Sequence, residues 1–282
     1  MTTTQSQSIS RPEIRDTGLL RQSLVITRRN LIHIKRMPEM LLDVTIQPVM
    51  FVLLFAFVFG GSIAISGGDP REYRDWLMAG IMSQTIAFAS FIVAVGLTAD
   101  IDKGIVDRLR SLPIHPAAVL VGRSISSLLH SSIGIVIMSL TGLTIGWRIH
   151  DGFFEAVLAY VLLLAWGFAM IWVGILVGSS MRSVEAVNGL MFATMFPITF
   201  LANTFAPAEN MPTVLRWFAE WNPISSLVLA VRELWGTPLP PAKHELALPL
   251  QHPVLSTIIW VVVITAVCAP LALRAFRRRT QG

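Results

Sequence analysis

The sequence predicts an all-α polytopic membrane protein with six transmembrane helices. Hydrophobic residues make up 54% of its 282 residues and charged residues only 14%, and the mean hydropathy is +0.65. A soluble domain averages about 25% charged residues, so this chain lacks the polar surface for a water-soluble fold of its length. Its charges are also clustered, leaving uncharged intervals at 44–68, 76–99, 124–147, 156–181, 186–208 and 246–273. Each is longer than the ~20 residues a helix needs to cross a ~30 Å hydrocarbon core. The last contains Pro249, His252 and Pro253, which moves the start of its span to Val254.

The third observation is the placement of Lys and Arg. Six spans put both termini on one side, and that side holds 16 of the 22 basic residues, among them Arg28, Arg29, Arg108, Arg123 and Arg279. The other 6 are Arg71, Arg74, Arg148, Arg216, Arg232 and Lys243. Basic residues mark the cytoplasmic face, so the termini and the 100–123 segment are expected in the cytoplasm. The net charge of +5 then reflects topology, and no nucleic-acid partner is expected. Cys268, the single cysteine, cannot form an intrachain disulfide and reads as a small apolar helix residue.

Taken in order, residues 1–17 are rich in Thr, Ser and Gln and are expected to be disordered. Between 18 and 37, Leu20, Leu24, Leu31 and Ile34 share one side of a helix, and Arg21, Arg28 and Lys35 recur every seven residues beside them. Such a basic amphipathic helix before a span lies in the membrane interface, in contact with lipids. The chain therefore divides into 1–40, a tail and interfacial helix, and 41–282, the transmembrane unit. The first span follows too long a polar stretch for a cleavable signal peptide and is expected to remain as an anchor.

Span 1 carries Asp43 and Gln47 four residues apart, facing protein or water. Between spans 2 and 3 lies the charged, Pro-punctuated segment 102–123. Span 4 contains Gly174 and Gly178, a small-residue pair suited to close helix packing within the chain or to dimerisation. Before span 6, TVLRWFAEW and ISSLVLAVRELWG, separated at Asn222-Pro223, read as two short helices on or dipping into the outer leaflet. Trp76, Trp147, Trp217, Trp221 and Trp235 fall at the outer boundary, where aromatic belts form.

Several chemistries are excluded. A P-loop requires GxxxxGK[ST], and neither Lys35, Lys103 nor Lys243 stands in that context. No GxSxG is present, and His130, the only histidine well inside a span, reads as a polar residue at an inner helix end. No histidines have metal-ligand spacing, so no catalytic, cofactor-binding or metal-binding residues are assigned. Ion-coupled carriers place ionisable groups near the midplane, whereas the acids here sit at span ends or in loops. What remains is passage of something hydrophobic, driven from outside the chain.

Two stretches carry a family resemblance. Gly104, Asp107-Arg108-Leu109, Pro113 and Gly122-Arg123 resemble the cytoplasmic signature of the type-2 ABC-transporter permeases. Pro207, Met211-Pro212 and Asn222-Pro223 resemble that family's stretch before the final span, and length and texture are similar to its daunorubicin- and doxorubicin-resistance type of drug-export permease. The resemblance implies a bacterial plasma-membrane permease, a homodimer or a heterodimer with a related permease. Two copies of a separate ATPase would bind ATP and Mg and drive export of a hydrophobic or amphipathic compound. It also implies a coupling helix at Asp102, Gly104, Ile105, Asp107, Arg108, Leu109, Leu112 and Pro113. In that helix Ile105, Leu109 and Leu112 can form an apolar ridge, and Pro113 stops it. From the residues alone, a docking helix and a solvated loop remain equally open. Lipid or polysaccharide export, and a membrane scaffold or lipid-modifying protein without ATP coupling, are the alternative readings.

Overall fold

A computed structural model of the chain describes residues 19–36, 39–59, 70–105, 116–205, 208, 211–239 and 246–281. Nearly all of these are helical and no strand occurs among the described residues. Helix α1 is Leu19–Arg36 and α2 is Glu39–Leu53, which continues as a π-helical turn, Leu54–Phe59. Then come α3 (Pro70–Ala87), α4 (Ala89–Asp102), α5 (Pro116–Thr144) and α6 (Phe153–Ser180). The rest are α7 (Val184–Phe200), α8 (Thr213–Trp221), α9 (Pro223–Leu234), α10 (Leu248–Gln251) and α11 (Pro253–Gln281).

Among the described residues, four helices are long and apolar enough to cross a membrane: Glu72–Asp102, Ala117–Thr144, Phe153–Ser180 and Pro253–Arg279. Two shorter apolar helices, Thr45–Val58 and Val184–Phe200, stand where spans 1 and 5 were expected. The chain is an all-α polytopic membrane protein. The first of the long helices is α3 and α4 together: Phe88 interrupts the regular pattern, but its N–H still reaches the Gln84 carbonyl at 3.1 Å. In α2, Pro48 removes a helix donor and crowds the preceding turn, and the helix widens to the π form six residues beyond it, at Leu54.

Helices α3–α4 and α6 form the buried centre. Their close approach comes from Gly174 and Gly178, which lie against the backbone of Ser90 and Ala94. A Cβ on Gly178 would sit 2.6 Å from the Ala94 carbonyl oxygen, and one on Gly174 would overlap the Ser90 carbonyl. The Thr98 hydroxyl donates to the Gly178 carbonyl at 3.0 Å, so the glycine pair serves packing within the chain. By contrast α11, the most exposed long helix, presents Leu255, Ile258, Ile259, Val262 and Val263 outward, as a lipid-facing helix does.

The tryptophan reading is corrected in part. Trp217 and Trp221 are exposed, but Trp76, Trp147 and Trp235 are almost wholly buried. Trp147 and Trp235 meet edge to face at 4.9 Å, and Tyr160 lies 5.6 Å from Trp235. These rings form a core at the end of the molecule away from the termini, where burying a large apolar ring outweighs exposing its N–H. The two short helices before the last span are present, with different roles. In α8, Val214, Trp217 and Phe218 are exposed. In α9, eight residues from Ile224 to Arg232 are buried, so α9 enters the bundle and packs on α3, α6 and α11.

Helix α1 also does more than lie flat. Ser23, Ile26 and Thr27 are buried against the start of α5, where Gly122 leaves room for Ile26. The Thr27 hydroxyl is 3.2 Å from the Gly122 carbonyl, and Asn30 donates to Ser126 at 3.1 Å. Leu24, Val25 and Ile32 remain exposed on its other side.

Candidate functional site

Two regions carry the functional geometry: the foot of the bundle at the end bearing the termini, and a cavity between helices.

At the foot, α4 ends at Asp102, and Gly104 follows with φ 67°. That left-handed conformation is costly for a residue with a Cβ, which explains a glycine where the chain leaves the span. Successive helix residues are about 100° apart, so Asp100 and Asp102 project to nearly opposite sides of α4. Asp100 pairs with Arg123 at the start of α5, while Asp102 pairs with Arg279 of α11 at 3.1 Å. The guanidinium of Arg123 also lies against Gly96, where any Cβ would collide with it. Of the sequence-predicted coupling residues, Asp102 and Gly104 thus stand at the exit from the span, with Ile105 half-buried beside them. Asp107, Arg108, Leu109, Leu112 and Pro113 lie outside the described residues. Gly122 and Arg123 sit where the chain re-enters the bundle, and both make contacts.

Near the other end, Asn222 joins two elements. Its side-chain oxygen accepts from the Ile224 N–H at 2.9 Å, capping α9, and its amide donates to the Ile198 carbonyl at 2.6 Å. Pro223 occupies the first helical position, where its missing N–H costs nothing.

The cavity has a volume of about 280 Å³ and lies between α2, α3–α4, α5 and α7. Its polar lining is Gln47, Gln84, Thr85, His130 and Ser131, and its aromatic lining includes Phe51, Phe88, Phe192, Phe196 and Phe200. Phe192, Phe196 and Phe200 recur every fourth residue, so α7 presents them in one row. Ring centroids are 5.2 Å apart for the first pair and 4.2 Å for the second, with interplanar angles of 19° and 26°. The row continues through Phe205 to Phe55, whose rings stack at 4.4 Å. An apolar, aromatic cavity with a few amide and hydroxyl groups suits a flat amphipathic molecule. No metal-holding cluster occurs among the described residues.

His130 lies midway along α5 and lines this cavity, rather than standing at a helix end as expected. The cavity residues come from four separate helices, which no local motif announces. The row at 192, 196 and 200 was the one available signal, since aromatics at four-residue spacing must share a face.

The fold defines a polytopic α-helical membrane protein with an aromatic-lined cavity between its helices. The ABC-2 type transporter family matches residues 21–234, and the chain belongs to that family. It is 30% identical over 206 residues to the daunorubicin resistance ABC transporter permease protein DrrB1 of Streptomyces coeruleorubidus, covering 73% of this chain and 72% of that protein. A probable doxorubicin resistance ABC transporter permease protein, DrrC of Mycobacterium tuberculosis, is 23% identical over 286 residues, 99% of each chain. The doxorubicin resistance permease protein DrrB of the same organism is 26% identical over 234 residues, 80% of each chain. The protein is a membrane-embedded permease subunit of an ABC transporter, and membership of the family implies an ATPase partner.

Proposed function

We propose that the chain forms the transmembrane path of a bacterial exporter that moves flat, amphipathic compounds of the anthracycline kind outward. It acts as a six-span subunit of the plasma membrane with both termini cytoplasmic. The observation that carries this reading is the stacked phenylalanine row facing Gln84 and His130 across the cavity. Aromatic rings bind a planar solute by offset stacking, while the amides and hydroxyls hold its polar edge.

The volume of about 280 Å³ is at the low end for small-molecule sites. Phe192 and Phe196 are also substantially exposed, which favours a second permease copy completing the path. Energy comes from two ATPase subunits that carry ATP and Mg and dock on the segment from Asp102 to Pro113. In this reading Ile105, Leu109 and Leu112 would offer the ATPase apolar contact, and Asp107, Arg108 and Arg110 polar contact. The anthracycline assignment draws on the names of the relatives and on the flat shape that a stacked aromatic wall accepts.

The test is ATP hydrolysis by the permease reconstituted with its ATPase, titrated with doxorubicin. Saturable stimulation that weakens in Phe196→Ala is the expected result. Hydrolysis indifferent to doxorubicin would remove this substrate class. Docking is tested separately by Arg108→Glu and Leu109→Asp, which should abolish co-purification of the ATPase while leaving membrane insertion intact.

A further inference from the structure

Arg279, in the last turn of α11, reaches across the foot of the bundle to two other helices. Its guanidinium donates to the Gly178 carbonyl at 2.9 Å and to the Met181 carbonyl, and on its other side to Asp102 at 3.1 Å. Gly178 and Met181 belong to the C-terminal turn and C-cap of α6, whose last carbonyls have no partner within their own helix. A cation there is favoured both by those carbonyls and by the negative end of the helix dipole. The Gly178 carbonyl also accepts from Thr98 of α4, so one carbonyl joins three helices. One turn earlier Phe276 is buried against the core of α4, α5 and α6, which fixes the approach of α11. The Arg279 side chain is only 19% exposed against 40% for Asp102, so Arg279 is held chiefly by the α6 carbonyls, and Asp102 is the more exposed half of the contact.

Asp102 is the last residue of α4, and the chain departs at Gly104 toward the segment assigned to ATPase docking. We propose that Arg279 is the positioning residue that hands movement of this segment from α4 to α6 and α11, so that closure of the ATPase shifts three spans together. The proposal rests on the docking reading of the 102–113 segment. Asp100 and Arg123 tie the same segment's two ends to each other. Arg279 connects the exit of α4 ionically to the final span.

The experiment uses the full permease–ATPase complex in proteoliposomes, with doxorubicin as the transported probe. Arg279→Gln should leave ATPase co-purification and ATP hydrolysis unchanged while doxorubicin uptake per ATP falls by about tenfold, the scale of one charge-assisted contact. Arg279→Lys keeps the charge but not the planar fork, and should recover only part of the loss. Asp102→Asn should lower uptake per ATP similarly, and the double variant should be no worse than either single variant, because both remove one shared contact. Unchanged uptake per ATP in Arg279→Gln, or additive losses in the double variant, would overturn the proposal. Loss of ATPase binding in Arg279→Gln would also overturn it, by making the residue part of the docking surface. If Arg108→Glu leaves the ATPase bound, the docking reading fails alone, because the Arg279 result is read on an assembled complex.

Discussion

The guanidinium carbon of Arg232 lies 3.5 Å from the centroid of the Trp76 ring, deep inside the bundle. Arg232 is 1% exposed and donates to the carbonyls of Trp76 at 3.1 Å and Thr204 at 3.2 Å. One side chain therefore fastens α9 to α3 and to the turn after α7. The ring face and two carbonyls replace the water a buried cation loses. Trp76→Leu should destabilise the protein by roughly 2 kcal/mol, the strength of a desolvated cation–π contact. Arg232→Lys should also be destabilising, since an ammonium cannot match the planar fork. Thermal unfolding in detergent, followed by circular dichroism, measures both, and wild-type stability in either would refute the fastening role.

Glycines in two helices should respond oppositely to the same change. Gly178→Ala forces α4 and α6 apart, because the new Cβ would meet the Ala94 carbonyl at 2.6 Å, and overpacking of this kind costs about 1–3 kcal/mol. Gly189 in α7 has nothing within 4 Å of an added Cβ, so Gly189→Ala should be neutral or stabilising by up to about 1 kcal/mol from helix propensity. The same melting measurement decides, and equal losses at both positions would contradict the packing described.

The two contacts of Asn222 can be separated. Asn222→Asp keeps the oxygen that caps α9 but loses the donor to Ile198, whereas Asn222→Ala loses both. The alanine variant should lose about 1 kcal/mol for the cap alone, plus the bond to α7, and the aspartate variant should fall between it and wild type. A variant order with aspartate worst would contradict this separation, and would mean that a buried carboxylate facing the Ile198 carbonyl costs more than the cap returns.

Removing one ring from the cavity should weaken binding without unfolding the protein. Phe196→Ala loses stacking on both neighbours and should raise the doxorubicin concentration for half-maximal stimulation of hydrolysis by about tenfold, from ~1–1.5 kcal/mol of stacking. Exposed Phe153 on α6, 77% exposed, lies outside the cavity lining, and Phe153→Ala should not change that concentration. Equal effects at the two positions would indicate a general membrane effect instead of a binding site.

What the sequence revealed depended on whether the signal was local. Long uncharged intervals identify apolar helices because a charge in the hydrocarbon is costly wherever the helix packs. Asn222-Pro223 marks the start of α9 through chemistry confined to a few residues. Trp76, Trp147 and Trp235 were misread because the same amphipathic ring suits a membrane boundary and a protein core, and only tertiary packing chooses between them. Arg232 was counted with the loop cations on one side, yet it is buried, since its partners are backbone carbonyls that carry no sequence signature. The cavity brings together Gln47, Gln84, His130 and Phe196 from four helices. Asp102 and Arg279 are 177 residues apart, a pairing that the pattern along one helix does not encode.

The central claim is that this permease moves its substrate only when a separate ATPase drives it. Doxorubicin uptake by inside-out proteoliposomes, with and without the ATPase and with and without ATP, measures this most directly. Uptake should require both the ATPase and ATP, and should disappear in Arg108→Glu. Equal uptake by the permease alone would contradict the account.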